Sequence, residues 1–308
     1  MSYKKSIDRL KNIICYGTLQ DGLDSLPKDI SISTMTICCN FNAKFNIENI
    51  TKWLKLNPDT VVVVGKRSLS TKKKNTPTHN ITNMSDLLKE KTKRECTKGK
   101  KRGRKPKTKE PKQQKPKKVF YNQISIKILV PGKDKDKPVN VKLFKNGSVQ
   151  MTGCVTLQDS LDALYNAINS LNATRAVLEN GKIKDVPFCS KILKISDVYD
   201  YKIGMINSGF KIPFSIDRSK LLLCMQNDNM DVLYDRNIHA SVIIKYPVND
   251  DDVTMLVFEK GNIIITGAKN ETQINRTYNY INKYLLSHYI NIFKKSELSD
   301  NHIFNYLK

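Results

Sequence analysis

What this sequence lacks narrows its function before any motif is read. Its seven cysteines, Cys15, Cys38, Cys39, Cys96, Cys154, Cys189 and Cys224, are odd in number, scattered and without a C-x-x-C pair. Neither a disulfide framework nor a zinc site is therefore expected, and reduced thiols in a reducing intracellular compartment are. No run of about 18 apolar residues occurs, and the opening MSYKKSIDRLKN has no apolar stretch, so neither a membrane span nor a signal peptide is expected. His79, His239, His288 and His302 stand at no metal-ligand spacing. VVVVGKRS fails as a phosphate-binding loop, because Thr60 stands where that motif needs glycine and Arg67 displaces the Ser/Thr after the lysine. No nucleophile, base and orienting acid can be assembled from local sequence, so neither an enzyme nor a cofactor or metal is expected.

Acid is scarce as well. The 308 residues hold 29 Asp and Glu against 53 Lys and Arg, a formal charge of +24 that points to a polyanion such as nucleic acid or an acidic membrane surface. Between Lys66 and Lys118 stand 21 Lys/Arg and 4 Asp/Glu, a net +17, which leaves only +7 for everything else. The folded part is therefore mildly basic. The acid run Asn249–Asp252 falls where two strands would turn, and a loop explains it. Asn, Lys and Ile are heavily used, as an AT-rich genome would produce, and a large DNA virus is a source consistent with that bias. The 39% hydrophobic content is enough for a core.

What is present is a duplication. VKLFKNGSVQMTG ends at Gly153 and TMLVFEKGNIIITG at Gly267, an offset of 114, and each reads as strand, glycine turn (Gly147, Gly261) and strand. A helical stretch follows each hairpin, with YNAIN from Tyr165 in one and YNYIN from Tyr278 in the other. Earlier, FNIENITKWL from Phe45 and FSIDRSKLLL from Phe214 match at an offset of 169, with Asn46 and Ser215 in cap position. The two offsets differ by 55, about the size of the basic stretch 66–118, which reads as an insert in the first copy. Each copy reads strand, helix, strand, hairpin, long helix, with VVVV from Val61 as an extra strand ahead of the insert. The boundaries are an N-terminal extension 1–30, repeat one 31–171 with insert 66–118, a linker 172–197, repeat two 198–286 and a C-terminal extension 287–308.

These residues resemble the TATA-box-binding protein (TBP) family. FEKGN followed by ITGAK at Ile265–Lys269 is similar to the end of the family's second repeat, and FKNGSVQMTGCV is its first-repeat counterpart, with Cys154 and Val155 where Ala and Lys are usual. KIPFSID from Lys211 is similar to the family's K-F-P-I segment, and NPDTV from Asn57 to its N-P-K-R-F. The resemblance implies an α+β saddle of two pseudo-symmetric repeats, a curved antiparallel sheet whose concave face sits on the DNA minor groove, with helices on the convex face. It implies a transcription initiation factor that binds AT-rich promoter DNA, bends it by inserting aromatic wedges, and recruits a TFIIB-like factor and RNA polymerase machinery. Such a protein would act as a monomer on DNA, in a nucleus or a viral factory.

Position by position, the resemblance places hairpin wedges at Phe144 and Phe258, and the other first-repeat wedge at Tyr121 with Phe120 beside it. The remaining wedge position falls on Asn237. The central asparagines are replaced by Thr34 and Ile203, with Thr36 and Met205 at the neighbouring groove-facing positions. Thr152, Leu256, Ile264 and Thr266 fit the family's groove-facing pattern, whereas Lys142 and Gln150 replace apolar residues. Lys127 and Lys269 would meet phosphates, and Asp231 and Asp235 mark the partner-binding stirrup. In the insert, KRGRKPK is similar to an AT-hook with Arg102 and Arg104 as groove readers and Lys105 intruding before the proline; a solvated basic loop or nuclear-localisation segment reads equally well. Two rival functions stand beside the promoter factor: an architectural or packaging protein without promoter choice, and a protein-interaction module that has lost DNA binding.

Overall fold

The computed structural model describes residues 3–65, 67–68, 122–134, 137–173, 176–179 and 182–294. Helices α1 (Tyr3–Ile13) and α2 (Tyr16–Asp24) come first. The first copy then runs β1 (Ser31–Phe41), α3 (Ile47–Trp53), β2 (Val61–Val64), β3 (Arg67–Ser68), β4 (Gln123–Ile128), β5 (Val139–Phe144), β6 (Ser148–Cys154) and α4 (Leu157–Ala173). A small hairpin, β7 (Ala176–Glu179) and β8 (Lys182–Asp185), leads into the second copy: β9 (Val198–Lys211), α5 (Arg218–Asn227), β10 (Asp231–Leu233), β11 (Ser241–Val248), β12 (Asp251–Phe258), β13 (Asn262–Ala268) and α6 (Glu271–Ser287). Helix α7 (Tyr289–Ile292) follows.

Strand order makes the duplication physical. The sheet reads β10-β11-β12-β13-β9-β1-β6-β5-β4-β2-β3, so the two copies are arranged symmetrically about the antiparallel β1–β9 pair. Within that pair Thr36 lies opposite Met205, its own mate at the 169-residue offset, so a pseudo-twofold axis passes between them. Val61–Val64 is not an extra strand: β2 holds in the first half the place that β10 holds in the second. Strict alternation builds the core, because successive strand side chains point to opposite faces. One face buries Val139, Val141, Leu143, Val149 and Met151, and their counterparts Val253, Met255, Val257, Ile263 and Ile265, each contributing roughly 1.5–3 kcal/mol. Against them pack Leu157, Leu161 and Leu164 of α4 and Ile274, Ile281 and Leu285 of α6.

Caps repeat as the strands do. Thr156 Oγ1 accepts from the Asp159 N–H at 3.2 Å and the Asp159 carboxylate accepts from the Val155 N–H at 2.8 Å, starting α4. At the 114-residue offset, Asn270 accepts from the Gln273 N–H at 2.9 Å and Gln273 from the Lys269 N–H at 2.7 Å, starting α6. The other helix pair departs from expectation. Asn46 caps α3, but α5 is capped by Asp217, whose side chain accepts from Ser219 and Lys220, and not by Ser215 two residues earlier. An aspartate at that point serves two amide donors at once, which a serine two residues upstream cannot reach.

The flanking segments are tied to this body. Stretch 172–197, read as a linker, holds the β7–β8 hairpin and buries Phe188, whose carbonyl accepts from the Asn46 N–H at 2.8 Å. Tyr3 of α1 donates to Asp162 at 2.5 Å and meets the Tyr165 ring edge-on, while Tyr278 of α6 donates to Asp29 at 2.7 Å. The N-terminal extension thus touches the long helix of each half. Beyond α6, Ile292 is buried and Phe293 bridges to Ile216.

The two hairpin glycines are required by geometry. Gly261 has φ +79°, and a Cβ there would lie 2.6 Å from the carbonyl oxygens of Ile212 and Phe214. Gly261→Ala should cost at least about 2 kcal/mol in urea denaturation. Gly17→Ala is the control: nothing lies within 4 Å and the residue is helical, so a gain of up to about 1 kcal/mol is expected. Equal effects at the two sites would refute this reading of the turn.

Candidate nucleic-acid interface

The second face of the sheet is not covered by α4 and α6, and its side chains fall into lateral rows set by strand register. Neighbouring strands stand roughly 4.8 Å apart, so each row is a line of adjacent groups. At the hairpin end of the first half Gln123 lies beside Phe144, and at that of the second Ser241 lies beside Phe258. The next row is Ser125–Lys142–Gln150–Cys38 in the first half and Ile243–Leu256–Ile264–Gly209 in the second. The row after that is Lys127–Asn140–Thr152–Thr36, matched by Lys245–Thr254–Thr266. Three lysines and no carboxylate stand in these rows.

At the pseudo-twofold axis a polar link crosses the sheet. Asn207 donates to Thr34 Oγ1 at 3.0 Å and accepts from Thr266 Oγ1 at 2.5 Å, and Met205 Sδ lies 3.8 Å from the same hydroxyl. Cys38 is half-buried beside this link, and burial pushes its thiol pKa up. Cys39 and Cys154, on the helix side, are pushed up further by burial, to about 12.

Most residues singled out from the sequence meet on this face: Thr34, Thr36, Lys127, Lys142, Phe144, Gln150, Thr152, Met205, Leu256, Phe258, Ile264 and Thr266. Ile203 does not. It pairs with fully buried Ile37 and packs on the core, because the register shifts between Thr36 and Ile37 and leaves Gly204 as the extra residue of a bulge. The asparagine that reaches the open face from β9 is Asn207, and the glycine inside a strand pattern was the only clue to the shift. Register places Ser241 beside Phe258 as it places Gln123 beside Phe144, so Ser241 is the mate of Gln123, and Ile238 just before it is 73% exposed. Asn237 itself sits in the loop after β10, its N–H donating to Asp235 at 2.8 Å. Phe120, Tyr121, Arg102, Arg104 and Lys105 lie outside the described residues.

Of the proposed phosphate contacts, Lys127 is exposed on β4 and its structural mate is Lys245, which sequence comparison passed over although ISIKI and VIIKY align by eye. Lys245 lies 3.6 Å from Asp231. Lys269 is engaged: its Nζ is 2.6 Å from Asp251, whose carboxyl is held below its usual pKa by the hydrogen bonds from Lys269 and Gln273. Asp231 is on the edge strand β10 and Asp235 in the loop that follows.

Comparison with known proteins bears on the same residues. Residues 200–288 match the family described as transcription factor TFIID, or TATA-binding protein. A TATA-box-binding protein-like protein of Acanthamoeba polyphaga mimivirus is 32% identical over 274 residues, 85% of this chain. The chain belongs to the TATA-binding-protein family as a divergent TBP-like protein. It spans 66% of that relative's length. Methanococcus jannaschii TBP superposes with a TM-score of 0.44 at 12% identity, over 82% of this chain and 95% of its own.

A carboxylate with a lowered folded-state pKa contributes stability above its unfolded-state pKa and loses it as pH falls through the folded value. Lys269→Met should therefore raise the Asp251 pKa toward the ordinary carboxylate range in a carbon-detected NMR titration. An unmoved Asp251 would show that the pair is not formed in solution.

Proposed function

We propose that the open sheet face binds double-stranded DNA in the minor groove of AT-rich promoter sequence and bends it, and that the acidic edge at Asp231 and Asp235 recruits a TFIIB-like factor and, through it, polymerase machinery. One observation carries this: the three rows described on the open face hold no carboxylate and offer hydroxyl, amide, apolar and lysine side chains, with one described phenylalanine at the hairpin end of each half. The A·T minor groove presents acceptors only, which hydroxyl and lysine donors satisfy and apolar groups tolerate. Phenylalanines entering base steps unstack them for a few kcal/mol each, offset by the surface that a bend brings into contact; this wedge mechanism is the family's own. The similarity to the mimivirus TATA-box-binding protein-like protein supports the same reading.

A second reading is favoured by the +17 stretch 66–118: architectural binding without promoter choice, driven by counterion release. Duplexes labelled at both ends, one carrying a TATA sequence and one G·C-rich, separate the two when titrated at several salt concentrations. Promoter bending predicts preference for the TATA duplex and increased end-to-end energy transfer. Equal affinity with unchanged transfer would sink it. Phe258→Ala should reduce the transfer change more than the affinity if that ring enters the stack. Cys38 provides an independent footprint: its alkylation by N-ethylmaleimide should be blocked by bound duplex, while exposed Cys15 stays reactive. Undiminished labelling of Cys38 in the complex would place the DNA elsewhere.

A further inference from the structure

The two halves of the open face agree at their inner rows and at their phenylalanines, and part company in the row between. Ser125, Lys142 and Gln150 stand in the first half where Ile243, Leu256 and Ile264 stand in the second. Every member of one row can hydrogen-bond, and no side chain of the other can. Neither Lys142 nor Gln150 has a hydrogen-bond or ion-pair partner among the described residues, so both are available to a ligand. Their mates Leu256 and Ile264 offer only surface.

Base pairs in the minor groove differ chiefly by one group, the guanine 2-amino donor, which A·T pairs lack. Against Leu256 and Ile264 that donor would be desolvated with nothing to accept it, since a buried unsatisfied donor loses its hydration without compensation. Against the first-half row the Gln150 amide oxygen and the Ser125 hydroxyl can accept it, while Lys142 and the Gln150 amide N–H2 donate to purine N3 or pyrimidine O2. Lys142 would serve A·T and G·C alike, because both pairs present those acceptors. Gln150, with an acceptor beside its donors and a place in the middle of the row, is the discriminating group.

Resting on the minor-groove reading above, we propose that the halves read their half-sites by different chemistry: the second half requires A·T, whereas the first accommodates G·C through Gln150, so that the protein takes an asymmetric and hence directional site. A symmetric face gives no orientation on a symmetric site. Here the orientation comes from three substitutions on open-face positions, half-buried in the first half, that leave the core side of the same strands unchanged in character.

The test uses the full chain and three labelled duplexes at a salt concentration high enough to suppress non-specific binding: A·T in both half-sites, A·T in one and G·C in the other, and G·C in both. The hybrid should bind within about threefold of the all-A·T duplex, and the all-G·C duplex about tenfold or more weaker. Gln150→Ile should weaken the hybrid about tenfold and spare the all-A·T duplex, and replacing guanine by hypoxanthine, which lacks the 2-amino group, should restore it. In the second half, Leu256→Lys with Ile264→Gln should improve binding to the all-G·C duplex, so the idea is tested by a gain as well as a loss. A hybrid falling midway between the two uniform duplexes, or a first-half variant that weakens all three equally, would overturn the inference and leave minor-groove binding standing. Equal affinity of the unaltered protein for all three would remove the minor-groove reading and this inference with it.

Discussion

The antiparallel pairing of β1 with β9 is the interaction on which everything else rests. It joins two half-sheets, each of which would otherwise end in a long unpaired edge, into one sheet of eleven strands. Because Thr36 meets Met205, its own repeat mate, the join is nearly self-complementary, and the two hairpins are carried to symmetry-related positions. It is also the most irregular pairing of the sheet, with three register shifts. Bulges add local twist, and here they gather where the halves meet. The hydrogen bond from Asn207 to Thr34 spans this seam on the open side, and Thr266 of β13 donates to the same asparagine.

Burial on one face and openness on the other divide the work within each strand. The inward residues are aliphatic and similar in both copies because a close-packed interior resists change of volume or polarity. Outward residues carry no such constraint. Lys142 and Gln150 can therefore replace what are Leu256 and Ile264 in the other copy without disturbing Val141, Leu143, Val149 or Met151 on the same strands. Core and open-face side chains alternate along the same strands, and in the row between Phe and Lys only the open-face set changes from polar to apolar between the halves.

How much of this was legible in the sequence follows from which constraints are local. The hairpins were legible because turn glycines at positive φ, a phenylalanine three residues earlier and a helix cap nine residues later leave a fixed spacing, and it holds to the residue at Thr156/Asn270 and Asp159/Gln273. Most of the residues that the family resemblance singled out lie together on the open face. What failed depends on partners distant in sequence. Ile203 was assigned by counting along β9, and the bulge at Gly204, which only pairing with β1 reveals, puts Asn207 on the open face instead. Val61–Val64 could not be recognised as the mate of Asp231–Leu233, because short edge strands share position and little sequence.

The seam and the ends of the sheet are mechanically connected. Wedges at Phe144 and Phe258 would load the sheet at positions related by the pseudo-twofold axis, by a few kcal/mol per unstacked step. Equal loads on the two halves act against each other at β1–β9, the irregular pairing between them. On the helix side the N-terminal extension spans the same seam, through Tyr3 on Asp162 of α4 and Asp29 on Tyr278 of α6. A sheet that opened along the seam would have to break the Asn207 link on one face and separate these two contacts on the other. The segment without a repeat counterpart thus stands opposite the most irregular join of the sheet and contacts both halves across it.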